Sequence, residues 1–218
     1  MTFPPFLIMP KQSFGDYISI LFSSLPLVDE SQIERLTSAI CQRLDGQHSV
    51  FLLGNGGSAA NAHHVTGDYT KTFALKRQRL RIECLSDNNC FITAAANDID
   101  FSEVYEILIG TKILPGDLMI FLSGSGNSMN LVKAARAAIS KGITVASIVA
   151  FNGGALKDLS SIAIHVPVAD MEIAEDVQMI ILHHIKQTIC AILDDTPSDM
   201  QHILTPKYAK RIAEGLVS

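Results

Sequence analysis

Phe51-Leu52-Leu53-Gly54-Asn55-Gly56-Gly57-Ser58 is an apolar run that stops at a burst of Gly, Asn and Ser. Ile120-Phe121-Leu122-Ser123-Gly124-Ser125-Gly126-Asn127-Ser128 repeats the pattern later in the chain. Each run is followed by a stretch able to form a helix. A strand that opens into a small, polar turn above a helix N-terminus leaves backbone N–H groups and hydroxyls free to hold an anion. Using the device twice points to one phosphate ester gripped from two loops. Glycines in the first loop permit close backbone approach, and Ser58 is placed to cap the following helix. The second loop carries more hydroxyls than one cap requires. Neither loop is a Walker A sequence, and neither fits GxGxxG.

Working outward, alternating apolar patterns predict strands over 49–53, 80–85, 118–122, 144–149 and 161–166. Helical periodicity fills the intervals at 59–73, 89–96, 101–112, 128–140 and near 155–159. Two helices are expected within 13–45, the second capped by Asp29 or Ser31. An apolar helix over 173–193 and another over 205–216 complete the chain. Pro115-Gly116 and Gly142 punctuate helix-to-strand boundaries. Strands alternating with helices imply right-handed crossovers and a parallel sheet covered on both faces. The expected division is an N-terminal helical extension at 1–45, an α/β domain at 46–195 and a C-terminal helix at 196–218.

Composition narrows the function classes. A 218-residue chain can bury a sizeable core. Only 18% of residues are charged while 48% are hydrophobic, a balance that favours hiding surface in an oligomer. A net charge of −5 with no basic stripe excludes nucleic acid as the main partner. Cys41, Cys84, Cys90 and Cys190 share no CxxC spacing and read as reduced thiols of a cytoplasmic protein. The first residues show no basic targeting segment, and no apolar run reaches membrane-spanning length, so no membrane partner is expected.

A second constellation lies on two of the predicted helices. His63, His64 and Asp68 sit on one, and Glu172, Glu175, Asp176, His183 and His184 on the other. At the helical repeat, His64 and Asp68 share a face, whereas His63 and Asp68 are about 140° apart. Glu175 and His183 differ by about 80°, and His184 points opposite Glu175. Geometry therefore selects His64, Asp68, Glu175 and His183. Two imidazoles and two carboxylates suit a divalent metal such as zinc, and equally a general acid/base set without a metal. Satisfied core or interface histidines are the plainer alternative.

Gly54 through Ala59, Ala62-His63-His64, Ala96-Asn97-Asp98, Ser123 through Ser128, and Glu175 through His183, in this order, resemble the sugar isomerase (SIS) domain. Within it they resemble the phosphoheptose isomerases, which interconvert sedoheptulose 7-phosphate and an aldoheptose 7-phosphate. The resemblance covers about residues 30 to 195. It implies a five-stranded parallel sheet between helical layers, and a homotetramer with active sites between subunits. The family motif Gln-His-Phe-x-x-Glu falls on His63 through Asp68, and Gln-Glu-x-His-x-x-x-x-His falls on Glu175 through His183. By resemblance, Asp68 is the base and His183 the acid of an aldose–ketose isomerisation through an enediol. His64, Asp68, Glu175 and His183 surround one zinc per chain. Ser123, Gly124, Ser125, Asn127 and Ser128 hold the phosphate. Asn55, Gly56, Gly57, Ser58, Asn97, Asp98 and Glu175 meet the sugar. Several positions depart from the pattern: Asp68 stands for Glu, Glu175 for Gln, Gly124 for Thr and Gln178 for His. SIS domains also serve as sugar-phosphate sensors, and one relative is a replication-initiation partner protein, so a non-catalytic binding role is the alternative. Retention of both a carboxylate at 68 and His183 favours an enzyme.

Overall fold

A computed structural model describes residues 13–195. The helix expected over 205–216 and the 196–218 segment lie outside the described residues. Ser13 opens the first helix, α1 (Phe14–Ser24), with a capping box closed by Asp16. A 3₁₀ turn at Leu25–Leu27 leads to α2 (Glu30–Cys41), where Asp29 accepts from the Ser31 N–H at 3.0 Å. Of the two expected caps, Asp29 fills the role.

The α/β alternation follows as β1 (Ser49–Gly54), α3 (Gly56–Leu75), β2 (Arg81–Cys84), α4 (Asn89–Asp98), α5 (Val104–Lys112), β3 (Leu118–Ser123), α6 (Met129–Ser140), β4 (Thr144–Val149), α7 (Gly154–Leu159), β5 (Ile162–His165) and α8 (Met171–Asp195). All five strands are parallel, in the order β2-β1-β3-β4-β5. Every residue of β1 and of β3 is buried, as a sheet sheltered on both faces requires.

Strand alternation divides the core in two. Val50, Leu52, Leu118, Ile120 and Leu122 face one layer with Leu36 and Ile40 of α2, Val65, Tyr69 and Phe73 of α3, and Ile173, Val177, Leu182 and Ile185 of α8. Phe51, Leu53, Met119 and Phe121 face the other, with Val104, Leu108, Ile109, Leu131, Ala134 and Leu156. Fully burying side chains such as Leu52 or Phe121 stabilises the fold by about 1.5–3 kcal/mol each. The N-terminal helices share this core, and Tyr17 ties α1 to α8 by donating its hydroxyl to Asp176 Oδ2 at 2.7 Å.

Strand order positions the site. The chain steps from β1 outward to β2, then back across to β3, so β1 and β3 are neighbours whose connections leave in opposite directions. A crevice opens outside the carboxyl ends of such a strand pair. Gly54 pairs with Leu122 at that edge, which brings the two Gly/Ser stretches side by side.

Candidate functional site

The crevice is a cleft of about 280 Å³ lined by Asn55, Gly56, Gly57, Ser58, Leu122, Ser123, Gly124, Ser125, Ser128, Met171 and Glu175. The two loops expected to cooperate thus form one cavity. The N-termini of α3 and α6 border it, and their first turns direct positive partial charge toward it. Neither helix closes its end with a side-chain cap. Asn55, the N-cap of α3, instead exchanges two 2.9 Å bonds with Asn130, and the Ser128 hydroxyl makes no cap bond at α6. Ser58, expected as a cap, lies within the first turn of α3, because the helix begins at Gly56.

The second loop is internally braced. Ser123 Oγ accepts from the Gly126 N–H at 3.0 Å, and Ser125 Oγ from the Asn127 N–H at 3.3 Å. Asn127 faces outward. Its Oδ1 accepts from Ala155 N at 3.0 Å and its Nδ2 donates to Ser125 O at 3.2 Å, so it shapes the turn and pins α7. Gly124 is closely approached: a Cβ there would lie 2.3 Å from Met171 Sδ, so the methionine side chain would have to move aside. Met171 fills the room a larger residue at 124 would need.

From the cleft, α3 and α8 run side by side in the same direction, and polar pairs step along their seam. Glu175 rests against Gly57, where a Cβ would meet its Oε2 at 2.1 Å. Asn61 Nδ2 donates to Glu175 O at 2.9 Å and to Gln178 Oε1 at 3.2 Å. His64 Nε2 and His183 Nε2 are 3.3 Å apart, the rings meeting edge to face. Lys186 Nζ pairs with Asp68 Oδ2, and farther on Lys76 pairs with Asp194 at 2.6 Å. Tyr69, buried between them, donates to Leu182 O at 2.6 Å and fixes the helix spacing.

The structure therefore gathers His64, Asp68 and His183, with one ligand atom of each within 4.8 Å of the others. Glu175 is not in that group; its carboxylate sits at the positive end of α3, in the cleft. Asn97 and Asp98 bond to one another at 2.8 Å at the exposed end of α4, and neither lines the cleft. Lys186 escaped the sequence reading because a lysine on an apolar helix reads as a solvated charge. Its place three residues after His183, on nearly the same face, was the available signal. Gln178 is 1% exposed, and its Nε2 has no partner among the described residues. A further trio brings His63, Cys84 and Asp87 together, with His63 Nδ1 2.6 Å from Asp87 Oδ1, and burial pushes the Cys84 thiol up.

The donor set can be tested against a metal. Two imidazole nitrogens bound to one tetrahedral zinc at about 2.0–2.1 Å are separated by about 3.3 Å. The observed His64–His183 spacing of 3.3 Å meets that requirement without rearrangement. Asp68 meets it only by sharing or leaving Lys186, and Glu175 only by leaving Gly57.

The SIS domain profile matches residues 13–150. The chain belongs to the SIS domain family. Curated relatives of this SIS domain include the phosphoheptose isomerase of Shewanella denitrificans, 31% identical over 189 residues, spanning 85% of this chain and 94% of that one. The phosphoheptose isomerase of Shewanella frigidimarina is 31% identical over 196 residues, spanning 88% and 97%. Among solved structures, the phosphoheptose isomerase of Neisseria gonorrhoeae superposes with a TM-score of 0.73 at 24% identity, covering 82% of this chain and 95% of its own. That likeness carries the five-stranded parallel fold.

Proposed function

We propose that this protein is an aldose–ketose isomerase of phosphorylated sugars, with sedoheptulose 7-phosphate and an aldoheptose 7-phosphate as its substrate pair. The observation that carries this reading is the layout of the α3–α8 seam. An anion-binding cleft lies at its start, and a carboxylate beside two imidazoles lies six to ten residues along it, roughly 9–15 Å of helix rise. A long, open-chain sugar phosphate suits that separation better than a short one. The relationship to phosphoheptose isomerases at 31% identity over most of the chain supports the same substrate class.

The reaction moves one proton between C1 and C2. Asp68 takes a proton from the carbon next to the carbonyl, which becomes an enediol. His183 gives a proton to the carbonyl oxygen as the charge develops, and reversal on the neighbouring carbon yields the isomer. His64, 3.3 Å from His183, holds the second imidazole in a defined tautomer, since one ring must donate and the other accept. Ser125 and Ser128 offer hydroxyls to the phosphate, with the first turns of α3 and α6 behind them. Asn55 and Ser58 face the sugar chain. Asn97 and Asp98 reach substrate only from outside this cleft, consistent with a site completed between subunits.

His64, Asp68 and His183, joined by Glu175 if it swings from Gly57, are the residues that would hold one zinc per chain. A bound zinc would polarise the substrate's carbonyl and hydroxyl oxygens. A homotetramer is the favoured assembly: Phe14, Phe22, Phe101, Met129, Ile180 and Ile192 are exposed apolar side chains that association would cover. The four cysteines are unpaired, which fits a reducing, cytoplasmic setting. No helix among the described residues is long and apolar enough to cross a membrane.

The test is turnover by the purified chain on a panel of ketose and aldose phosphates of five to seven carbons, followed by NMR of the product. Interconversion of the seven-carbon pair is expected. Saturable binding of a sugar phosphate without turnover would replace the enzyme reading with that of a sensor.

A further inference from the structure

Lys186 is a charged group on the seam that neither the acid/base chemistry nor the phosphate cleft uses. Its ammonium pairs with Asp68 Oδ2 across the α3–α8 interface, and both side chains are largely covered, 20% and 15% exposed. It lies one helical turn beyond His183, as Asp68 lies one turn beyond His64. The four side chains therefore form two adjoining pairs, imidazole with imidazole and ammonium with carboxylate. Among the described residues around this pair, Tyr69 is spent on Leu182 O, the flanking α8 side chains Leu182, Ile185 and Ile189 are buried and apolar, and the next charges along the seam, Lys76 and Asp194, pair with each other.

We propose that Lys186 is a resident cation that positions Asp68 and competes with a divalent metal for its carboxylate. Two consequences follow from charge alone. A metal that recruits Asp68 must break a sheltered, charge-assisted hydrogen bond and leave an ammonium close to a dication, so zinc affinity is held down. With no metal bound, the same ammonium holds the carboxylate beside the imidazole pair. The metal half of the proposal stands whether or not the protein is an isomerase; only the positioning half rests on that reading.

The experiment is a zinc titration of the full chain against a chromogenic chelator, which reads affinity without turnover. All variants carry His63→Gln, to silence the trio at Cys84. Lys186→Met keeps the aliphatic stem and removes the charge. It is expected to bind zinc about 10- to 100-fold more tightly than the parent, the range set by losing one charged hydrogen bond. Lys186→Gln should shift affinity in the same direction, and it serves if the Met variant fails to fold. In an Asp68→Asn background the Lys186→Met gain should shrink to threefold or less. Equal zinc affinity in parent and Lys186→Met, or a full gain without Asp68, overturns the competition. In chelator-treated protein, Lys186→Met should lower kcat with an unchanged KM for sugar phosphate, and Lys186→Arg should restore part of it. An unchanged kcat overturns the positioning role while leaving the zinc result to stand by itself.

Discussion

His183 and His184 are neighbours in sequence and both exposed, yet the site gives them opposite fates. His183 lies 3.3 Å from His64 on the seam, whereas His184 is turned by about 100° around α8. His183→Gln removes a ring contact between exposed groups, so its effect on stability should stay at or below about 1 kcal/mol. Its effect on chemistry should be far larger. A positioned general acid contributes about 10²–10⁴ in rate, or about 2.7–5.5 kcal/mol of barrier. Turnover of sedoheptulose 7-phosphate should fall by that factor in His183→Gln, with KM little changed because the proposed phosphate grip is elsewhere. His184→Gln should retain turnover within about threefold, below 0.7 kcal/mol. Both variants should be measured side by side for kcat, KM and thermal midpoint. Equal losses of kcat at 183 and 184, with midpoints unchanged, would refute the assignment of the seam face as the acid/base face.

Three further outcomes are expected. Ser125→Ala should raise KM roughly 10- to 150-fold through loss of one charge-assisted bond, leaving thermal stability nearly unchanged; an unaltered KM would remove Ser125 from the phosphate grip. Gly124→Ala should cost no more than about 1 kcal/mol, because the clashing atoms are the tip of the partly exposed Met171 side chain, which can move aside; a larger loss in urea unfolding would mean that Met171 is held in place. Tyr17→Phe should lower the thermal midpoint by about 2–4 °C, through loss of about 1 kcal/mol in the bond to Asp176. That hydrogen bond, with lesser help from burial, pushes the Tyr17 hydroxyl up to about 12 from an ordinary value of 10.0. Its contribution is therefore present below about pH 10, is lost as pH rises through about 12, and the gap between wild type and variant should close over that window.

Local patterns were enough for the order of strands and helices among the described residues. Apolar runs ending in Gly and Ser marked β1 and β3, and the helical repeat put His64 with Asp68 and turned His184 away. These features depend on bonds and rotations within a few residues, which sequence records directly. Element ends were less legible: α3 begins at Gly56, so Ser58 lies inside the helix and Asn55 takes the N-cap place.

What tertiary structure alone decided concerns groups far apart in the chain. Strand order put β1 beside β3, so two loops about seventy residues apart became one cleft, as parallel-sheet switch points do. Packing of α8 on α3 set which polar groups meet. It placed Glu175 against Gly57 rather than with the imidazoles, left Asn97 and Asp98 outside the cleft, and seated Met171 against Gly124. It also brought Lys186 onto Asp68. Periodicity tells which face of a helix a residue occupies. Which helix that face meets, and in what register, is fixed by the packing of the whole core.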